Sequence, residues 1–447
     1  MGLGLGLNNY IPFGIYLFSI CLIFLILFKD RKIGILYFLP LLPLTIIFIK
    51  MQRYPLGKDL IDIILIIIII AWFLQNKKFI KTKINLSIYF FIIYTFFELL
   101  NGYLYLGNDI NIMDVRMEMW KNYMIMPAIF FIVLNNIQSL DEIKQMVFNL
   151  SVIYLVIAVK FAKGFTDPGY FDWSLKKDPG VTAYLGANFM SSFMVMYLVI
   201  FLCLFYYFKE DRKFQIYYLV IVVFGAYNIL FLFSRGGYIA FVVVMLILGV
   251  LRDRKILAGL VILIMFWNYI LPTSVFQRIN MTLNAQDELG GESTGRNVMW
   301  QHAYENFQVN PLFGTGYQTF KYTLSEDMLK EFEENIGRKI TNAHGIFFEV
   351  LAEMGIVGLI LLLLLFFLAA RSGWKLFRSA GDGFLKGLGL GFFLSVISSV
   401  ITNLFGDNWS LYQIQGYYWI FWALTERGLI LTREQNNPNI IQERIPI

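Results

Sequence analysis

The amino-acid sequence predicts an all-α polytopic membrane protein with about 12–14 transmembrane helices and one large helical extracytoplasmic loop. Three observations predict it. The 447 residues are 58% hydrophobic, with a mean hydropathy of +0.63, whereas a soluble domain is usually about 45–50% apolar. Only 15% are charged, against roughly 25% in soluble domains. The apolar residues also come in long runs, such as 63–74 and 356–370. A helix crosses the hydrocarbon with about 20 such residues. Barrel strands instead alternate apolar and polar residues over about 10 positions. These runs do not alternate, so they are helices, which satisfy their backbone groups internally.

Taken in order, the runs place spans at 11–28, 33–49, 59–75, 86–106, 122–135, 143–162, 187–208, 214–233, 237–251, 255–271, 346–370, 384–402 and 411–425. The compact basic connections 29–32, 77–83, 209–213, 252–255 and 371–378 belong in the cytoplasm by the positive-inside rule. The longer or more acidic connections 107–121, 163–186, 272–345 and 403–410 then lie outside, as does the short link Ser234-Arg235-Gly236-Gly237. The basic connection 50–58 falls outside in this scheme, against the rule. Three regions result: an N-terminal transmembrane bundle (1–271), a large extracytoplasmic loop (272–345), and C-terminal transmembrane helices with a cytoplasmic tail (346–447). Within the loop, residues 297–307 have helical spacing at Val298, Trp300, Gln301, Tyr304 and Phe307, and 326–336 reads as a second amphipathic helix.

The net charge of +6 does not point to nucleic acid, because Lys and Arg sit in short clusters between apolar runs, where they set topology. The two cysteines, Cys21 and Cys203, each lie inside an apolar run, which argues against a disulfide framework. The first residues lack the basic start and small-residue cleavage site of a secretory signal. No zinc-ligand spacing, phosphate-binding glycine loop or nucleophile elbow is present.

The two histidines, His302 and His344, both fall in the large loop. Histidine is the side chain best suited to proton transfer near neutral pH. His344 directly precedes the span 346–370, where the positive end of the helix dipole favours a neutral imidazole able to act as a base. The alternative is an interfacial histidine without a role. His302 reads as loop packing. Arg235 lies between two apolar stretches, and arginine near membrane depth is a functional hypothesis by default. The alternative is a helix-ending arginine that snorkels to the headgroups. Arg296 follows Ser293-Thr294-Gly295 at a helix start, a plausible anion cradle or an ordinary cap with a solvated charge. In Pro311-Leu312-Phe313-Gly314-Thr315-Gly316-Tyr317 the proline ends a helix and the glycines permit a tight turn. Tyr317 and Phe320 either stack on a sugar face or pack the loop. Asp114, Arg116 and Glu118 form another charged outer connection.

In order and spacing these segments resemble the O-antigen ligase and Wzy polymerase superfamily. The resemblance rests on Phe233-Ser234-Arg235-Gly236-Gly237-Tyr238; on Gly295-Arg296 with Trp300, followed by the 311–317 turn; on Ala343-His344 with Phe348-Glu349 and Leu351-Ala352-Glu353-Met354-Gly355-Ile356-Val357-Gly358; and on Ala187-Asn188-Phe189-Met190 opening a span. Together these cover roughly residues 180–360. Gly345 stands where the family usually has asparagine. The resemblance implies a C-type glycosyltransferase-like membrane fold in the bacterial cytoplasmic (inner) membrane, with its site on the outer, periplasmic side. It implies transfer of a glycan from an undecaprenyl pyrophosphate carrier, without cofactor or metal, and with inversion at the anomeric carbon. Ligases transfer the glycan to lipid A core; polymerases transfer it to another lipid-linked repeat unit. Carried onto this sequence, Arg235 and Arg296 bind the donor pyrophosphate and His344 activates the acceptor hydroxyl. Gly314, Gly316, Tyr317, Arg116, Trp300 and Glu349 are the candidate substrate-binding residues. The implied partners are the lipid-linked donor and acceptor, membrane lipids and a chain-length regulator, with no nucleic acid.

Polymerase is the leading expectation, because nothing in the sequence indicates a lipid A core acceptor. A transporter or flippase of lipid-linked sugars is the competing class. Transporters often carry paired repeats and broken midplane helices; the sequence shows neither, and a large ordered outer loop holding both histidines favours catalysis.

Overall fold

The computed structural model describes residues 7–74, 79–111, 113–164, 186–209, 211–283, 290–327, 330 and 342–436. Every regular element among them is a helix. In chain order these are α1 (Leu7–Phe28), α2 (Arg31–Phe38), α3 (Thr45–Met51), α4 (Leu60–Leu74), α5 (Lys83–Tyr105), α6 (Val115–Asn136), α7 (Leu140–Gly164), α8 (Gly186–Tyr207), α9 (Arg212–Phe231), α10 (Arg235–Leu251), α11 (Arg254–Met265), α12 (Trp267–Ile270), α13 (Thr273–Leu283), α14 (Gly290–Val309), α15 (Phe320–Thr323), α16 (Ile346–Ser379), α17 (Gly383–Leu404) and α18 (Tyr412–Asn436).

Eight of these, α1, α5 to α9, α16 and α17, are long and apolar enough to cross a membrane. The larger number expected from the sequence differs at five segments. The span expected at 33–49 is instead α2 and α3, bent by 109° at their junction, a broken pair where the sequence predicts none. Pro40 and Pro43 sit at that break, where a missing N–H and the ring clash interrupt a helix. α4 and α10 are apolar but have only 15 and 17 residues. α11 stops at Met265, and α12 restarts the chain for a single turn. α18 has 25 residues but carries Gln413, Gln415, Glu426 and Arg427 along its length.

The side-chain pairs sort the bundle into two ends. At one end Lys32 bonds Glu142 (2.5 Å), Arg427 Nη2 donates to the Gln138 carbonyl (2.9 Å), and Arg252 lies over the rings of Tyr206 and Tyr207. This end gathers the basic connections that the sequence assigns to the cytoplasm. At the other end Lys121 pairs with Asp62, and Lys58 with Glu118 at 3.7 Å. Lys58 therefore sits with the connection 107–121, which the sequence assigns to the same side as 50–58, and pairs there with Glu118.

α17 is the central strut, held between α8 and α16. Its glycines allow backbones to touch: a Cβ on Gly391 would stand 2.6 Å from Ile200 Cα, and one on Gly389 2.5 Å from Phe377 N. Small residues at such interfaces are how helices pack where lipid supplies no hydrophobic drive. Trp409, Trp419 and Trp422, fully buried, fill the seam between α6 and α18 together with Phe130. Fixing α17 in this way fixes the turn at its far end, on which the candidate site is assembled.

Candidate active site at the loop end of the bundle

The turn Leu404-Phe405-Gly406, just beyond α17, receives two of the sequence motifs from different directions. Gly236 packs on Phe405, with a Cβ there 3.3 Å from the ring and its Cβ. Gly345 packs on the Leu404 carbonyl, whose oxygen would stand 3.0 Å from a Cβ on Gly345, and the Ile346 N–H donates to the Gly406 carbonyl (3.1 Å). Arg235 and His344, the neighbours of these glycines, are thereby brought to one turn of chain although more than a hundred positions separate them. Both side chains are half-buried. His344 has φ +49°, a left-handed conformation uncommon for a non-glycine residue and a frequent mark of functional turns.

The third motif reaches the same turn at Gly345. Trp300 stacks on Phe348 with ring centroids 4.6 Å apart and 13° between planes, and its Nε1 reaches Gly345. Arg296 is one helical turn earlier on α14, on the same face as Trp300 and half-buried. Ser191, the residue after the fourth segment, meets the first: its Oγ lies 2.0 Å from where a Cβ on Gly237 would be. Ser234 caps α10, its side chain accepting from the Gly237 N–H, and Phe233 before it is left-handed at φ +53°. Arg278 of α13 donates to the Phe233 carbonyl (3.2 Å) from a position only 3% exposed. Sequence reading missed Arg278. Its signal is an arginine on the short amphipathic stretch that follows a span.

The 311–317 turn docks at a break in α16. Gly355 has φ 61° and ψ −165°, which interrupts the helix. The turn occupies the gap: the Thr315 and Gly316 N–H groups donate to the Ala352 and Glu353 carbonyls, and the Ile356 N–H donates to the Pro311 carbonyl. The Glu353 carboxylate accepts from the Gln318 and Phe320 N–H groups at 2.8 and 2.9 Å. Gly314 and Gly316 thus lie against backbone, at Glu353–Met354 and at Gly102. Tyr317 is buried beside Tyr123, its phenol held protonated well above the usual range by burial and then by the carboxylates of Glu353 and Glu349. The structure therefore places these three residues in the clasp that secures the loop to the bundle. Glu353, central to the clasp, is in the sequence only one residue of the motif at 351–358.

Arg116 is 2% exposed, pairs with Asp114 at 3.0 Å and lies 3.9 Å over the Tyr103 ring. It stands on the α5–α6 side of the clasp, with Gly102 between it and Gly316. Glu349 is in α16, one turn after Gly345, and faces Glu353 and Asp407. Asp407 in turn accepts from Asn342 Nδ2 (2.7 Å). Glu349, Glu353 and Asp407 thus gather beside the His344 turn, while Gly236, next to Arg235, packs on Phe405. Among the described residues no group of His, Cys, Asp and Glu side chains is arranged to hold a metal ion.

The inward face of α14 is Met299, His302, Ala303 and Asn306, not the Val298 and Tyr304 face expected; the latter two are exposed. Hydrogen bonding decides the rotation. His302 Nε2 and Asn306 Nδ2 both meet Thr323 Oγ1, at 3.0 and 2.7 Å, and His302 sits edge-on to Phe320. Most of the second expected loop helix, 326–336, lies outside the described residues. Burial lowers the His302 pKa below its ordinary value, and Glu305 opposes this weakly. The unfolded chain therefore binds the proton at higher pH than the folded one. The contribution of this network to stability is complete above about pH 6.5 and is lost as pH falls through the folded value. The melting temperature of the detergent-solubilised protein is expected to fall between pH 7 and pH 5, and to fall less in His302→Gln. Equal falls in both would show that His302 does not hold the loop.

Fold and site together define a polytopic helical membrane protein whose loop docks at one end of the bundle, where Arg235–Gly236 and His344–Gly345 meet on one turn. Residues 219–363, about a third of the chain, match the family described as O-antigen ligase, and this stretch contains Arg235, Arg296 and His344. The chain is also similar to the exopolysaccharide production protein ExoQ of Rhizobium meliloti (strain 1021), 38% identical over 73 residues. That match spans 15% of this chain and 16% of the relative's length. The likeness to the O-antigen ligase and polymerase superfamily is shown over this part of the chain, and it supports a membrane glycan ligase or polymerase.

Proposed function

We propose that this protein is a polymerase that joins polyprenyl-pyrophosphate-linked oligosaccharide repeat units, undecaprenyl pyrophosphate being the carrier the family implies. The observation that carries the reading is the meeting of Arg235–Gly236 and His344–Gly345 on the Leu404–Gly406 turn, with Trp300 against Gly345 and Arg296 one helical turn before it on α14. The donor already carries a good leaving group, an anionic lipid pyrophosphate. What it needs is charge stabilisation, which two arginines supply through planar, two-pronged contacts. The acceptor hydroxyl is a poor nucleophile and needs a base within hydrogen-bond reach, the role assigned to His344. The hydroxyl oxygen attacks the anomeric carbon as its proton passes to the imidazole. The bond to the pyrophosphate oxygen breaks on the opposite face, so the anomeric configuration inverts. By the positive-inside rule the basic end of the bundle is cytoplasmic and the site lies on the outer face of the cytoplasmic membrane.

The ligase of the same superfamily is the second reading, and the family match itself favours it. Donor and leaving group are common to both, so the acceptor separates them. The name of the ExoQ relative, a protein of exopolysaccharide production, favours polymerisation. Purified protein incubated with its lipid-linked repeat unit alone, followed by glycan sizing, is expected to yield a ladder of lengthened products. Products that form only when a lipid A core acceptor is added would replace the polymerase by the ligase.

A further inference from the structure

We infer that Trp300 and Glu349 clamp one hydroxyl group of the acceptor sugar beside the imidazole of His344. The inference rests on the glycan-transfer reading above and names what holds the acceptor in that same site.

Two buried polar atoms at the His344 turn, Trp300 Nε1 and Glu349 Oε2, have no hydrogen-bond partner among the described residues. Neither side chain is free to find one elsewhere. The indole is pinned by its stack on Phe348, and Nε1 stands 3.4 Å from the Cβ position of Gly345. Glu349 is 9% exposed; its own N–H donates to the Gly345 carbonyl (3.1 Å), and its carboxyl accepts from the Ala343 N–H. One atom therefore approaches the Ala343-His344-Gly345 turn at Gly345, the other at Ala343. Successive Cα atoms are about 3.8 Å apart, so the ends of this turn are separated by no more than about 7 Å, the breadth of one sugar ring.

The chemistry of the two atoms selects the ligand group. An indole N–H can only donate. A carboxyl oxygen pairs with a hydroxyl in either protonation state. A hydroxyl donates and accepts at once, so it matches the chemistry of both atoms; an apolar group satisfies neither. An anion is disfavoured here, because Glu353 and Asp407 stand close to Glu349. The pyrophosphate thus belongs with the arginines and the neutral acceptor sugar with the carboxylates. Holding the hydroxyl next to the attacking one would fix the nucleophile against the base, the kind of positioning that makes an encounter effectively unimolecular.

The test uses full-length protein in detergent with 15N-labelled tryptophan. The Trp300 indole resonance is identified by its loss in Trp300→Phe, a change that keeps a ring on Phe348. The probe is the oligosaccharide released from the lipid-linked donor by mild acid. The Trp300 resonance is expected to shift saturably, with the midpoint raised about tenfold in Glu349→Gln, the loss of roughly one hydrogen bond. Calorimetry on Trp300→Phe with the same oligosaccharide is expected to show a similar loss, which keeps the inference testable should Glu349→Gln not fold. Chain lengthening by the wild-type protein is read in parallel. A ladder with an unmoved Trp300 resonance overturns the clamp and leaves the polymerase standing. No ladder with a shifted resonance keeps the sugar clamp and overturns the polymerase. No ladder and no shift overturns both.

Discussion

His344→Ala is expected to yield a folded protein whose rate of glycan transfer is lower by at least about a hundredfold, the low end of what a positioned general base contributes. The change removes the imidazole and keeps the backbone anchors of α16. His344 is half-buried, and α16 is anchored at this point by backbone bonds, Ile346 N–H to the Gly406 carbonyl and Glu349 N–H to the Gly345 carbonyl, that the substitution leaves intact. The left-handed backbone at His344 is a second consideration. Asparagine tolerates that conformation better than alanine does, so His344→Asn serves as the control: equally inactive, with stability closer to that of the wild type. Normal glycan assembly by both folded variants would sink the mechanism and favour a transporter, which has no need of a base at this point.

Gly355→Ala is expected to destabilise the protein by at least about 3 kcal/mol, a size that marks a specific structural cause. Two effects add. The backbone at φ 61°, ψ −165° is essentially closed to residues with a side chain. The new Cβ would also stand 2.3 Å from the Leu312 carbonyl oxygen and 2.6 Å from the Phe313 nitrogen, rigid backbone atoms of the docked turn. Straightening α16 would release the 311–317 turn and with it the loop that positions Trp300 and Arg296, so activity should fall with stability. Gly259→Ala is the matched control, since nothing lies within 4 Å of its added Cβ and it sits in helix α11. The comparison is read as melting temperature in detergent. A Gly355→Ala protein that melts with the wild type would mean that the break in α16 is not maintained in solution.

The contrast between what the sequence predicts and what the fold adds follows from range of interaction. Helix class and the main spans are legible because they depend on local apolar runs; α5, α8 and α17 need nothing from the rest of the chain to declare themselves. The bend between α2 and α3 was also written locally, in Pro40 and Pro43, although hydropathy alone merges the two helices. The inward face of α14 was not legible: His302 and Asn306 are polar, and only the presence of Thr323 across the loop makes that face the buried one. Gly314 and Gly316 read as a turn, but their closeness to Glu353 and Gly102 is a tertiary fact. Arg278 and Glu353 likewise acquire meaning only through the backbone groups they meet, at Phe233 and at Gln318 and Phe320. The common platform of Arg235–Gly236 and His344–Gly345, the Leu404–Gly406 turn, carries no distinctive residue pattern at all.

The central claim is that the loop end breaks the bond between glycan and carrier pyrophosphate. Phosphorus NMR of the lipid-linked repeat unit, incubated with purified protein in detergent, tests this directly. The diphosphate diester of the donor is expected to be replaced by the carrier's pyrophosphate monoester, one equivalent for each new linkage, with no such conversion by His344→Ala. A donor that stays intact in the presence of folded wild-type protein, with either a second repeat unit or a lipid A core as acceptor, would contradict glycosyl transfer and leave movement of the lipid-linked sugar as the function.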